Sequence, residues 1–167
     1  DNLSSQYCID QDRLYGIGYS LGSMFTYEIA CQLNHRFAAV ASFAGTMPVD
    51  PETCELVGGM GVLHIHGKLD YIIDYDDDWD WKDGEHEGVG TMSNVPGMIE
   101  AWSMRANCGS SDTDADFFLE HITHSDCFGG ARVEHYGIEF WEHTWPDEVD
   151  GTPTYQLMWD FLSDFTN

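Results

Sequence analysis

Residues 14–33, LYGIGYSLGSMFTYEIACQL, change their hydrophobic period within a few positions. The opening LYGIG is a short, continuous apolar run, whereas Leu21, Met24, Phe25, Ile29 and Leu33 recur at helical spacing. A run of the first kind suits a strand buried on both faces beneath helices, as in a parallel sheet. The passage from strand to helix takes place across one serine with a glycine two residues to either side. Small residues there let the strand and helix backbones approach closely through a tight turn. This stretch alone directs the chain toward an α/β architecture.

The remaining apolar runs fit that frame. AVASF (39–43), GVLHI (61–65) and VEHYGI (133–138) read as further strands, the first two apolar enough for burial on both faces. VPGMIEAWSMRANCG supplies a second helix, with Pro96 near its start and Gly109 just past its end. Tyr155, Met158, Phe161, Leu162 and Phe165 outline a third. Strands alternating with helices imply a right-handed parallel sheet with flanking helices. A length of 167 residues, 43% of them hydrophobic, suffices for one compact domain spanning 1–167 and is short for two.

Charge narrows the partners. With 30 Asp and Glu against 6 Lys and Arg, the formal charge is −24. Such a field repels nucleic acid and anionic membrane surfaces, so neither is an expected partner. The 6 Trp, 8 Tyr and 9 Phe argue against disorder, and the acidity reads as a solvated surface. No run is long and apolar enough to cross a bilayer as a helix. The five cysteines show no C-x-x-C spacing, which disfavours a zinc ribbon and favours disulfides in a secreted or extracytoplasmic protein. A strand and helix running antiparallel would bring Cys8 near Cys31. Cys108, after one helix, and Cys127, before the last strand, are candidate partners closing an irregular polar segment, which leaves Cys54 over.

Gly18-Tyr19-Ser20-Leu21-Gly22 fits G-x-S-x-G, the turn that holds a nucleophilic serine clear of a strand end. In that reading the Leu21 amide, at a helix start, is an oxyanion donor. The motif alone is weak, because a turn serine between glycines looks the same. Two further sites follow in the order serine, acid, histidine. HIHGKLDYIIDY places Asp70 just beyond a strand's carboxyl end, where ligands gather in open α/β sheets, with Asp74 as a more distant rival. FWEHTWPDE places His143 in an aromatic-rich loop after the last strand. A histidine base needs a carboxylate to fix its tautomer and stabilise the imidazolium, so the three together define a mechanism. Separately, Asp70 reads as a turn cap and His143 as a loop histidine.

YCIDQDRLYGIGYSLGSMFTYEIACQLNHRFAAVASFAG, VLHIHGKLDYIIDY and EHTWP resemble the corresponding segments of secreted feruloyl esterases and related polyhydroxybutyrate depolymerase-like esterases. The likeness runs from about Tyr7 to Phe165. It implies an α/β-hydrolase-like fold, with Ser20 as nucleophile, Asp70 as acid and His143 as base. It also implies a Cys108–Cys127 disulfide, and strands and a second oxyanion donor preceding the point where this sequence starts. An N-terminal segment, a partner or a second copy would then complete the sheet. Ser23 departs from the resemblance, standing where a second glycine is usual.

Carboxylic-ester hydrolysis through an acyl-enzyme needs no metal or organic cofactor. Tyr19, Leu21 and Trp145 are the candidate oxyanion and substrate-binding residues, and the expected substrate is a small ester or an acylated polysaccharide. The alternative is a non-catalytic remnant of an esterase, retaining the three residues without a competent site. Asp76, Asp78 and Asp80 alternate as calcium ligands do, but no glycine follows at the required step, so a solvated acidic loop is the better reading. Trp79 and Trp81 in the same loop could stack on a substrate or pack on the domain. His121, His124 and Cys127 have ligand-like spacing, which a disulfide at Cys127 would spoil.

Overall fold

The computed structural model describes residues 3–51, 54–80 and 90–167. Strand β1 (Tyr15–Tyr19) leads into helix α1 (Leu21–Gln32), then β2 (Ala39–Phe43) and β3 (Gly61–Gly67). A two-residue pair, β4 (Trp79–Asp80) and β5 (Thr91–Met92), precedes helix α2 (Val95–Arg105). Then come β6 (Ser110–Ala115), β7 (Leu119–Ser125) and β8 (Val133–Ile138), followed by a second short pair, β9 (Glu148–Val149) and β10 (Thr152–Pro153), and helix α3 (Thr154–Ser163).

Among the described residues, six strands form one sheet in the order β1-β2-β3-β8-β7-β6. The first four are mutually parallel, and β7 and β6 join antiparallel, so the sheet is mixed rather than wholly parallel. The expected irregular segment between Cys108 and Cys127 is in fact this β6–β7 hairpin. Its strand character is hard to see because β6, SSDTDA, is exposed throughout and lacks an apolar face. Helices α1 and α2 cover one side of the sheet, where Tyr27, Val40, Val62, Met98, Trp102 and Val133 pack together. Helix α3 covers the other, with Phe43, Leu63, Ile65, Met158, Phe161 and Leu162. The arrangement is a three-layer α/β-hydrolase-like fold.

Strands β2 and β3 are buried along their whole length, as their apolar runs require. β1 is not, because it forms a sheet edge with Ile17 and Tyr19 exposed on one face. Helix α2 is capped by Asn94, whose Oδ1 accepts from the Gly97 amide at 2.7 Å. It stops at Arg105, where Asn107 takes a left-handed turn (φ 50°), ahead of the glycine expected to end it.

The disulfides are Cys31–Cys54 and Cys108–Cys127, and Cys8 is an exposed free thiol. The Cys8–Cys31 pairing is therefore incorrect. Cys31 lies on the core-facing side of α1, while the residues before β1 run over the surface. Asn34 draws the Cys54 segment in, donating to the Glu55 carbonyl and accepting from the Val57 amide, both at 3.0 Å.

Candidate active site

Ser20 occupies the turn between β1 and α1 with φ 55° and ψ −124°, a conformation that costs a non-glycine residue energy and is held by its surroundings. Its amide donates to the Phe43 carbonyl at 2.9 Å, and its own carbonyl accepts from the Ser23 amide at 2.9 Å. Gly18 makes the close crossing of strand and helix feasible, since a Cβ there would lie 2.3 Å from the Gly22 carbonyl oxygen. Leu21 opens α1, where the first amides of a helix have no partner within it and point toward solvent or ligand.

Asp70 follows β3 by three residues. Its Oδ1 accepts from the amides of Ile72 and Ile73, each at 2.9 Å. Its Oδ2 faces His143 Nδ1 at 2.6 Å and His66 Nε2 at 3.2 Å. Burial of this carboxyl raises its pKa, but the hydrogen bonds from His66, Ile73, His143 and Ile72 outweigh burial and bring it down to about 2. Asp74, the rival, instead caps its own exposed turn by accepting from the amides of Asp76 and Asp77.

His143 reaches Ser20 from the loop after β8. Its Nε2 lies 2.7 Å from Ser20 Oγ, so one imidazole spans the serine and the acid. Since Asp70 Oδ2 can only accept when ionised, Nδ1 carries the proton and Nε2 is left to accept from the hydroxyl. The loops bearing the two residues are tied together, because the Leu69 amide donates to the Trp141 carbonyl at 2.9 Å. Gly67 has room for no side chain against that same carbonyl.

Tyr19 braces this loop. Its hydroxyl donates to the His143 carbonyl at 2.9 Å, and its ring stacks on the His143 imidazole. Trp145 meets both Tyr19 and Phe43 edge-on, which leaves an aromatic wall beside the serine. Ser20, Asp70, His143, Tyr19, Leu21 and Trp145 thus gather at one end of the sheet. A hollow of about 570 Å³ lined by Cys31, Asn34 and Cys54 is elsewhere, at the far end of α1 from Ser20.

Other candidate residues disperse. His121 and His124 are three apart on a strand and so point to opposite faces, His121 stacking on Tyr136 while Cys127 is in a disulfide. Asp78 accepts from the Asn94 backbone and side-chain amides, and Asp80 accepts from the Thr91 hydroxyl. Trp81 lies outside the described residues. Three histidines that motif reading passed over lie fully buried near the acid: His64 and His66 on β3, and His135 on β8. The available signal was HIH in a strand otherwise apolar on both faces, since buried polar groups require partners.

The Phospholipase/Carboxylesterase family model matches residues 2–79, a span that includes the Ser20 turn and Asp70. The chain is 24% identical over 173 residues to the bifunctional acetylxylan esterase/xylanase XynS20E of Neocallimastix patriciarum, covering 99% of this chain and 22% of that protein. It is 23% identical over 171 residues to feruloyl esterase B of Piromyces equi, covering 98% of this chain and 30% of that protein. The chain therefore spans less than a third of the length of either relative. Fold and similarity agree on an esterase-related chain of the α/β-hydrolase type.

Proposed function

We propose that this esterase-related chain hydrolyses carboxylic esters through a Ser20–His143–Asp70 triad, on feruloyl, acetyl or other short acyl esters such as those of plant polysaccharides. The observation that carries the reading is the unbroken line from Ser20 Oγ to His143 Nε2 (2.7 Å) and from His143 Nδ1 to Asp70 Oδ2 (2.6 Å). The strained turn at Ser20 and the aromatic wall of Tyr19 and Trp145 support it. The acyl-ester class follows the names of the relatives, and the two disulfides favour an oxidising, extracytoplasmic setting.

In this mechanism His143 Nε2 takes the Ser20 proton as Oγ attacks the ester carbonyl carbon. The resulting oxyanion sits at the start of α1, where the Leu21 amide and the helix dipole stabilise negative charge. The tetrahedral species then expels the alcohol, which receives its proton from His143. Water enters, gives a proton to His143 and attacks the acyl-serine, and collapse returns Ser20 and the free acid. Asp70 stays ionised throughout, holding the imidazole and offsetting its transient charge.

The test is hydrolysis of p-nitrophenyl acetate and methyl ferulate by the chain beside Ser20→Ala, with covalent labelling by an organophosphonate. The expected outcome is hydrolysis and labelling that both disappear in Ser20→Ala. A folded wild-type chain that neither hydrolyses nor labels refutes the proposal.

A further inference from the structure

Behind the acid lies a buried polar line that the steps above do not use. Gly18, Ser42, His64 and His135 share one register across β1, β2, β3 and β8, which forms a polar row inside an apolar sheet face. Ser23 and Ser42 join through their hydroxyls. The Tyr27 hydroxyl lies 2.6 Å from His64 Nδ1, and His64 Nε2 lies 2.9 Å from His66 Nδ1. His66 Nε2 then faces two oxygens, the Ile73 carbonyl at 3.1 Å and Asp70 Oδ2 at 3.2 Å. Ser23, Tyr27, Ser42, His64 and His66 are all fully or almost fully buried.

The partners fix the direction of the hydrogen bonds from Tyr27 to His66. Facing a carbonyl and a carboxylate, His66 Nε2 must carry a proton, which makes Nδ1 the acceptor toward His64. His64 Nε2 must then donate to it, so His64 Nδ1 accepts from Tyr27. Burial and the neighbouring His66 and His135 keep the His64 pKa well below its ordinary value, so that ring is neutral as the relay requires. The donors of Tyr27, His64 and His66 therefore all point toward Asp70, whose Oδ2 also faces His143 Nδ1.

We propose that His66 is a positioning residue for the ester hydrolysis proposed above, on which this inference rests: its Nε2–H holds the Asp70 carboxylate in line with His143, and the relay from Tyr27 through His64 fixes the tautomer that makes His66 a donor. The groups facing His66 are Asp70, His64, His135 and the ring of Tyr75. With the carboxylate held by Ile72 and Ile73 on one oxygen and by His66 on the other, Asp70 cannot swing away when His143 becomes an imidazolium. Misplacing a catalytic group by about 1 Å costs on the order of 10²-fold in rate.

Two measurements test this. In the wild-type chain labelled with ¹⁵N-histidine, long-range ¹H–¹⁵N spectra should show His64 and His66 both protonated at Nε2 and bare at Nδ1. A His66 protonated at Nδ1 overturns the proposal whatever the enzymatic activity. In kinetics with p-nitrophenyl acetate, His66→Phe should lower kcat by about 10–10²-fold with KM nearly unchanged. It should also move the acid limb of the pH–rate profile upward, because an Asp70 relieved of one donor holds the imidazolium more strongly. His66→Gln, which keeps a donor, should restore most of kcat and the wild-type limb. A folded His66→Phe with wild-type kcat and an unmoved profile overturns the positioning role, as does an equal loss in His66→Gln. A wild-type chain inert to the ester instead refutes the hydrolase reading, and the ¹⁵N spectra separate that outcome from a failed relay.

Discussion

Acidification should destabilise this fold well above the range in which its carboxylates titrate. His64 and His135 are completely buried, and burial with repulsion from neighbouring histidines lowers both pKa values, that of His135 to about 3. In the unfolded chain both rings titrate near the ordinary value of about 6.5. A group held neutral in the fold contributes no penalty above that value, and stability is lost as pH falls from about 6.5 toward the folded pKa. At pH 5.0 the unfolded state gains about RT ln(1 + 10^1.5), or about 2 kcal/mol, for each such histidine. The two together remove about 4 kcal/mol between pH 7.5 and 5.0, a large share of the 5–15 kcal/mol typical of a domain. For a chain of this size that corresponds to a fall in Tm of about 8–16 °C. Asp70 does not oppose the trend, because its lowered pKa of about 2 contributes stability that is complete above the ordinary carboxylate range and fades only below it. Thermal melts at pH 7.5, 6.0 and 5.0, in salt sufficient to screen the surface charge, measure the effect. His135→Asn, able to keep the donor to the His64 carbonyl, should melt lower at pH 7.5 but lose only about half as much on acidification. A Tm constant within about 2 °C from pH 7.5 to 5.0, or an unchanged slope in His135→Asn, would refute the reasoning.

Other expectations follow from particular contacts. Gly18→Ala puts a Cβ 2.3 Å from the Gly22 carbonyl oxygen and 2.4 Å from Thr26 Oγ1, so it should cost about 3 kcal/mol or more and remove activity, as read by urea titration and ester hydrolysis. Cys31→Ala with Cys54→Ala opens a loop with a sequence separation of 23, and the urea midpoint should fall by an amount equivalent to about 3 kcal/mol. Tyr19→Phe removes the hydroxyl held at 2.9 Å from the His143 carbonyl while retaining the stacked ring, and kcat should drop severalfold with little change in Tm.

The strands and helices that position Ser20, Asp70 and His143 were legible because each carries a strong local signal. β2 and β3 are largely apolar runs, α1 has a helical apolar period, and Pro96 marks the start of α2. The errors fall where long-range context overrides the local pattern. LYGIG looks like a strand covered on both faces, yet at the sheet edge Ile17 and Tyr19 are exposed. SSDTDA carries no apolar alternation, and it becomes β6 only because β7 offers a backbone to pair with. Chain geometry alone brings Cys31 toward Cys8, but the decisive contacts are those of Asn34 with residues 55 and 57, which no pattern of cysteines encodes.

The histidine row is harder to read for a different reason. A motif reports residues that must stand clear of the backbone to meet a substrate, and each of Ser20, Asp70 and His143 lies in a loop or turn just beyond a strand. Residues that hold those groups lie one layer deeper, within the strands, where apolar neighbours dominate the local composition. What identifies them is cost. An unpartnered buried polar group is expensive, so two histidines alternating on one face of β3 require donors and acceptors across the sheet and from α1. Register supplies them, with Ser42 beside His64 on one side and His135 on the other, and Tyr27 above. The polar row therefore links helix α1, which follows Ser20, to the Asp70 carboxylate beside His143. A substitution as remote from the surface as Tyr27→Phe would leave His64 Nδ1 without its donor and, through two ring tautomers, loosen the hold on Asp70.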